Sequence, residues 1–305
     1  MKFLHVLGIF LRGLAMGAAD VVPGVSGGTI AFVTGIYPRL ITSLTSFNIE
    51  ALSLLGRFKL VAAWKHVDAN FLLTLFAGIL CSIFLVAHFV SYALEYYPVL
   101  LWSFFFGLIL ASAIWMISEL GRPRILDILP LVLGISLVYF ISTSPIASLS
   151  PSLPIIFLAG FIAISAMLLP GVSGSFLLLL VGLYATTIEA VKTVDVNYLV
   201  IFASGAALGF LIFSRVIKWL LTRFYRQTLL LLIGLLSGSL YVVWPWKLVD
   251  TEISQNLLPA AYASEVGDPM ILLAAAFMMI GVVVILFFEL MFEQESGEMG
   301  ASAAP

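Results

Sequence analysis

The chain has 305 residues, of which 62% are hydrophobic and only 10% charged, with a mean hydropathy of +1.18. Water-soluble domains carry about a quarter charged residues, so this composition excludes one and places the chain in a bilayer. A formal net charge of -2, with no basic arm or patch, excludes a nucleic-acid partner, and a single cysteine, Cys81, excludes an intrachain disulfide.

The first element is an apolar segment over 2–46, broken near its middle by Asp20-Val21-Val22-Pro23-Gly24-Val25-Ser26-Gly27-Gly28-Thr29. Met1 and Lys2 ahead of an apolar run resemble a signal peptide, but Arg12 interrupts the run and the motif follows directly, so the segment is read as mature protein. Proline lacks an N–H and closely spaced glycines lack a stiffening side chain, so the motif breaks a helix. At membrane depth the backbone groups it releases are tolerated only inside protein or along a polar cavity. Three apolar segments of spanning length follow, at 71–92, 99–118 and 125–142. A second broken segment, 153–191, holds Pro170-Gly171-Val172-Ser173-Gly174-Ser175, and three more spans follow at 198–221, 228–244 and 270–292. Residues 293–305 read as an acidic, solvated tail. Trp64, Trp102, Trp219, Trp244 and Trp246 fall near span ends and read for the most part as interfacial anchors.

Charge placement orients these segments. Arg57, Lys59 and Lys65 precede the first span, Arg122 and Arg124 the third, and Arg223 and Arg226 the fifth, whereas the links at 95–98 and 143–154 carry neither lysine nor arginine. Basic loops stay in the cytoplasm. Threading the spans accordingly makes both broken segments re-entrant hairpins that enter from opposite faces, and leaves both termini cytoplasmic.

The chain also repeats itself. Pro23 and Pro170, Gly35-Ile36-Tyr37 and Gly182-Leu183-Tyr184, and Gly134 and Gly281 are each 147 residues apart; Gly78 and Gly205, and Gly107 and Gly234, are 127 apart. The difference is extra length in the loop after the first hairpin. The fold expected is therefore an all-α integral membrane protein with one membrane domain built of two inverted repeats, 1–145 and 146–292. Each repeat is a re-entrant helical hairpin plus three transmembrane helices, the architecture of many secondary transporters.

Hydroxyls and freed N–H groups at the start of a helix favour anions. A lone break would read equally well as a close-packing site, but two in equivalent places match the discontinuous helices that hold substrate near the midplane. The candidate donors are Ser26, Gly27, Gly28 and Thr29 in the first motif, and Ser173, Gly174 and Ser175 in the second. Charges inside apolar segments are costly and default to function. Arg12, whose forked donors suit phosphate, and Asp20 flank the first break. An acid beside an anion site is a candidate proton carrier, with a helix cap or a pairing with Arg12 as the structural alternatives for Asp20. Arg39, His88, Glu189 and Arg215 are secondary candidates, Arg215 standing where His88 stands in the first half; for Arg39, snorkelling to the headgroups is the plainer reading. His5, His66 and His88 lack the spacing of a metal set, and no motif serine has an obvious base, so no metal, cofactor or catalytic triad is expected.

The stretches GLAMGAADVVPGVSGGTIAFVTGIY at 13–37 and SAMLLPGVSGSFLLLLVGLY at 165–184 resemble the paired motifs of the bacterial polyprenyl-phosphate transporter family, PopT, and the resemblance runs over 3–292. The second motif has Ser175 where the first has Gly28, and Met167 where it has Asp20. The resemblance implies a flippase that returns undecaprenyl phosphate, the lipid carrier of cell-wall and O-antigen sugars, from the outer to the inner leaflet of the bacterial inner (cytoplasmic) membrane. Inverted halves that exchange conformation would give alternating access, and the cost of carrying a dianionic phosphate through hydrocarbon points to ion or proton coupling; a polyprenyl phosphate and membrane lipids are the partners expected, with homodimerisation left open. On that reading the hairpin tips take the phosphate, Arg12 compensates its charge, and the tail stays in lipid through a lateral opening.

Two other classes stay open at this level. A membrane polyprenyl diphosphate phosphatase would share re-entrant repeats with serine-rich tips, but no paired glutamates stand beside a serine here. A small-anion transporter would ignore the prenyl chain, so tail-length dependence of binding separates it.

Overall fold

The computed structural model describes residues 3–21, 26–85, 87–144, 149–249 and 254–302; Val22-Pro23-Gly24-Val25 of the first motif, the side chain of His88 and the side chains of 287–302 lie outside the described residues. Among the described residues the chain is helical apart from one antiparallel hairpin, β1 (Lys247–Val249) and β2 (Ser254–Asn256), in which Lys247 faces Asn256. The first broken segment forms α1 (Phe3–Val21), α2 (Gly27–Val33) and α3 (Tyr37–Thr45), with α4 (Ile49–Gly56) and α5 (Leu60–His66) in the loop behind it. Then come α6 (Ala69–Leu85), α7 (Ala87–Tyr96), α8 (Pro98–Glu119) and, after a short 3-10 turn, α9 (Ile128–Thr143). The second half runs α10 (Leu153–Met167), α11 (Gly174–Leu180), α12 (Tyr184–Lys192), α13 (Val196–Arg223), α14 (Tyr225–Val242), α15 (Pro259–Glu265) and α16 (Ile271–Ser302).

Among the described residues, Pro98–Glu119, Ile125–Thr143, Val196–Arg223 and Tyr225–Val242 are long and apolar enough to cross a membrane, and Ala69–Ser82, Leu153–Met167 and Ile271–Leu286 are shorter apolar helices. The protein is a multi-pass membrane protein. Within the segment read as one span at 71–92, α6 and α7 stand on either side of residue 86, which lies outside the described residues. At the other end α16 runs beyond 292 into the acidic segment, whose glutamate, methionine and alanine residues are good helix formers. Between α11 and α12 the chain bends by 113°. Gly182 makes that turn at φ +73° and Gly35 makes the matching turn between α2 and α3 at φ +72°, a left-handed conformation that favours glycine.

Four close helix pairs build the body: α1 with α6, α10 with α13, α8 with α16 and α9 with α14. Lipid tails are as apolar as leucine, so helices in a bilayer are held by close approach at small residues. Gly13 of α1 lies so close to α6 that a Cβ would stand 2.1 Å from the Leu75 carbonyl oxygen, and at the α10–α13 crossing a Cβ on Gly205 would stand 1.9 Å from that of Phe157. Gly107 of α8 crosses Gly281 of α16, and Gly134 of α9 crosses Gly234 of α14, each with a neighbouring backbone inside the radius of a methyl group. The glycines that match between the halves in sequence are thus the ones at the crossings. Because α8 pairs with α16 and α9 with α14, each half supplies one partner of both pairs. Ile9, Phe32, Tyr37, Phe71, Leu232 and Leu236 belong to the single large core between them. Arg226 fastens one end, pairing with Asp127 and donating to the carbonyls of Leu120 and Arg122.

A second small core lies under β1–β2. There Trp246 is buried with Val99, Tyr262 and Ala274, and its indole N–H donates to the Pro269 carbonyl at 2.8 Å, while that of Trp244 donates to Leu257. Trp246 is therefore a core residue rather than a headgroup anchor, because the segment between β2 and α16 supplies both its packing and its acceptor.

Candidate functional site

In each half the broken segment folds back, α1 onto α2 and α10 onto α11, and the two breaks meet. Ser26 caps α2: its hydroxyl accepts the Gly28 N–H at 3.1 Å and donates to the Met167 carbonyl at 3.3 Å. Thr29 Oγ1 accepts the Gly171 N–H at 2.9 Å, and the buried Tyr37 hydroxyl donates to the Leu168 carbonyl at 2.6 Å. The last carbonyls of a helix have no partner within it, so side chains of the first tip satisfy groups released where α10 ends. The fit leaves no slack, since a Cβ on Gly28 would lie 2.6 Å from the Met167 oxygen. Gly171 sits at φ +82°, and a Cβ there would lie 2.4 Å from the Leu235 oxygen, so only glycine fits.

The second tip is built alike. Ser173 caps α11, accepting the Phe176 N–H at 3.4 Å, and its hydroxyl pairs with that of Ser175 at 2.8 Å. Ser173 and Gly174 are buried, whereas Ser175 is exposed. A small cavity beside this tip is lined by Ser142, Gly171, Ser173 and Phe176.

The first-motif hydroxyls Ser26 and Thr29 reach the second break at the Met167 carbonyl and the Gly171 N–H, whereas Ser173 bonds within its own tip, to Ser175 and Phe176. The N–H groups of Gly27, Gly28 and Gly171 are taken up by Asp20, Ser26 and Thr29 respectively. Buried backbone donors must find partners, so with the tips in contact they satisfy each other instead of forming an open anion cradle. Asp20 fills its structural alternative, its carboxylate accepting the first N–H of α2 at 2.6 Å. Arg12 is buried in α1, eight residues earlier, about 12 Å along the helix axis from Asp20.

The secondary candidates lie apart from the tips. Arg39 on α3 pairs with Asp68 at 2.8 Å, stacks 4.3 Å from the Phe71 ring centroid and approaches His5 at 3.4 Å. Arg215 on α13 donates to the Phe47 carbonyl at 3.3 Å, just past the end of α3. Glu189 is exposed on α12. Sequence reasoning used Tyr37 only as a repeat marker and did not single out Asp68. The signal for Tyr37 was present in the matched Gly-Ile-Tyr and Gly-Leu-Tyr elements, yet its counterpart Tyr184 is exposed, so the pattern does not say which tyrosine is buried.

The chain matches a family model described as undecaprenyl phosphate translocase-like over residues 16–257, a range that holds both breaks and their contact. It is 45% identical over 246 residues to a Vibrio cholerae protein named polyprenyl-phosphate transporter, covering 81% of this chain and 80% of that one. It is 33% identical over 253 residues to a Staphylococcus aureus protein of the same name, covering 77% and 85%. No solved structure matches. Family and relatives are named for transport, not for catalysis, and the chain belongs to the undecaprenyl phosphate translocase-like family of membrane transporters.

Proposed function

We propose that the protein is a flippase that carries undecaprenyl phosphate from the outer to the inner leaflet of the bacterial cytoplasmic membrane, with both chain termini in the cytoplasm. The observation that carries this reading is the contact of the two helix breaks through Ser26–Met167, Thr29–Gly171 and Tyr37–Leu168. The donors of these pairs, the Ser26 and Tyr37 hydroxyls and the Gly171 N–H, are free to bond a phosphate when the tips part. The prenyl tail stays in lipid throughout.

The two halves act as inverted repeats. The recurrence of each helix pair and each crossing glycine at matched positions supports this, and exchange of conformation between such halves alternates the exposed face. Arg12 balances part of the phosphate charge on its way to the tips. Asp20 couples transport to protons by leaving the Gly27 N–H when it takes one up, which frees a donor for the phosphate.

The test is leaflet accessibility of undecaprenyl phosphate in proteoliposomes. Protein-dependent movement that falls by an order of magnitude or more in the combined Thr29→Val, Ser173→Ala variant is the expected result, the weight of one or two charge-assisted hydrogen bonds. Undiminished movement in that variant, or phosphate release from a diphosphate lipid without movement, would overturn the reading.

A further inference from the structure

The loop that lengthens the first half borders a cavity with polar residues in its lining. The cavity, of about 310 Å³, lies between α3, α5 and the start of α6, lined by Arg39, Thr42, Ser46, His66 and Asp68. The Arg39 guanidinium is held flat over Phe71, with its Nε on the Asp68 carboxylate and Nη1 near His5. Both partners of this ion pair are more than a third exposed, 38% and 36%, so another anion has access to it. Arg215 reaches the Phe47 carbonyl, next to the cavity's Ser46.

The second half shows what the fold alone needs at this corner. At the matched positions Ser152 stands for His5, Thr186 for Arg39, Thr193 for His66 and Tyr198 for Phe71. Only the acid persists, as Asp195, where it caps α13 by accepting the Tyr198 N–H at 3.1 Å. The tie from α12 to α13 is a neutral hydrogen bond, Thr187 to the Tyr198 hydroxyl at 2.7 Å. Neutral groups thus hold the equivalent corner. The guanidinium of Arg39 and the imidazole of His66, which meets the Asn48 amide oxygen at 3.3 Å, both line the cavity and are absent from the matched corner.

We propose that this cavity is a second anion site, which takes a phosphoryl group on Arg39 and His66, with Asp68 as the counter-ion that the phosphoryl group displaces. The phosphoryl group is the monoester head of a polyprenyl phosphate or inorganic phosphate; only the lipid source rests on the function proposed above. A guanidinium that bonds a carboxylate through Nε can bond a phosphate oxygen through the same donor. The site lies at the same end of the first half as Arg57, Lys59 and Lys65, which raise the local concentration of anions.

The test is titration of the full-length protein in zwitterionic nanodiscs with inorganic phosphate, followed by ³¹P NMR. Saturable binding should weaken about tenfold in Arg39→Gln, the weight of a charge-assisted hydrogen bond, and recover in part in Arg39→Lys. It should tighten several-fold in Asp68→Asn, where the competing carboxylate is gone. Arg39→Thr, which carries the residue of the matched position, serves if Arg39→Gln fails to fold. Binding that is equal in all variants, or that weakens in Asp68→Asn, overturns the proposal. Displacement of bound phosphate by added polyprenyl phosphate assigns the site to the lipid head, and no displacement assigns it to the free anion. A failed leaflet assay would end the flippase reading and leave this titration standing.

Discussion

Thr29 joins the two tips through a single oxygen, the acceptor for the buried Gly171 N–H. Thr29→Val keeps the shape and strands that donor, which costs about 1–3 kcal/mol, so thermal unfolding of the purified protein should show a lower midpoint. Gly171→Ala should do worse, since it meets both a left-handed backbone and the Leu235 carbonyl, whereas Gly56→Ala, with open space around it, should be neutral or stabilising. Lys247, outside the spans, makes a pH-dependent contribution. Burial pushes its ammonium from an ordinary value of 10.5 down to about 7, against the opposing pull of the Trp102 ring 3.6 Å away and the Val242 carbonyl. Between those values the unfolded chain holds a proton that the folded chain has released, so stability rises with pH across the window. Lys247→Met should flatten the rise of the unfolding midpoint between about pH 7 and 10. That Ser26 and Thr29 sit at a helix break was legible at this scale, because proline and clustered glycines interrupt an apolar run there. Tyr37 and Asp68 were not. Tyr37 reaches Leu168 across 131 residues, and which of two matched tyrosines turns inward depends on packing that a one-chain pattern does not encode.

The helix crossings follow from glycine placement. Gly107 and Gly281 occupy one crossing, Gly134 and Gly234 the other, and leucine at any of them must displace backbone rather than a side-chain end. Each such substitution should destabilise by at least about 1–3 kcal/mol, read as a lower unfolding midpoint. Two made at the same crossing should fall short of additivity, because the first already separates the helices. Apolar length foretold which segments are helices, and the glycine offsets foretold which positions in them matter. One element-level expectation changed for a local reason: Trp246 packs inward because β1–β2 and α15 roof it. A loop read as a link gave no periodic signal for that roof, since its strands are three residues each.

At the scale of the molecule the halves are joined at the crossing pairs α8–α16 and α9–α14, between α3 and α13, between α8 and α14, and at the tips. The crossings are long, whereas the tips meet over a short stretch through a few hydrogen bonds and a close backbone fit at Gly28. On the proposed function the tips must part for each phosphate carried. The most direct test is to lock them. Ser26→Cys with Met167→Cys, in a Cys81→Ser background, can be bridged by a short reducible thiol cross-linker and assayed for leaflet movement of undecaprenyl phosphate in proteoliposomes. Movement should stop while the bridge is in place and return when it is reduced. Movement at the unbridged rate with the tips tied together would contradict the proposed function.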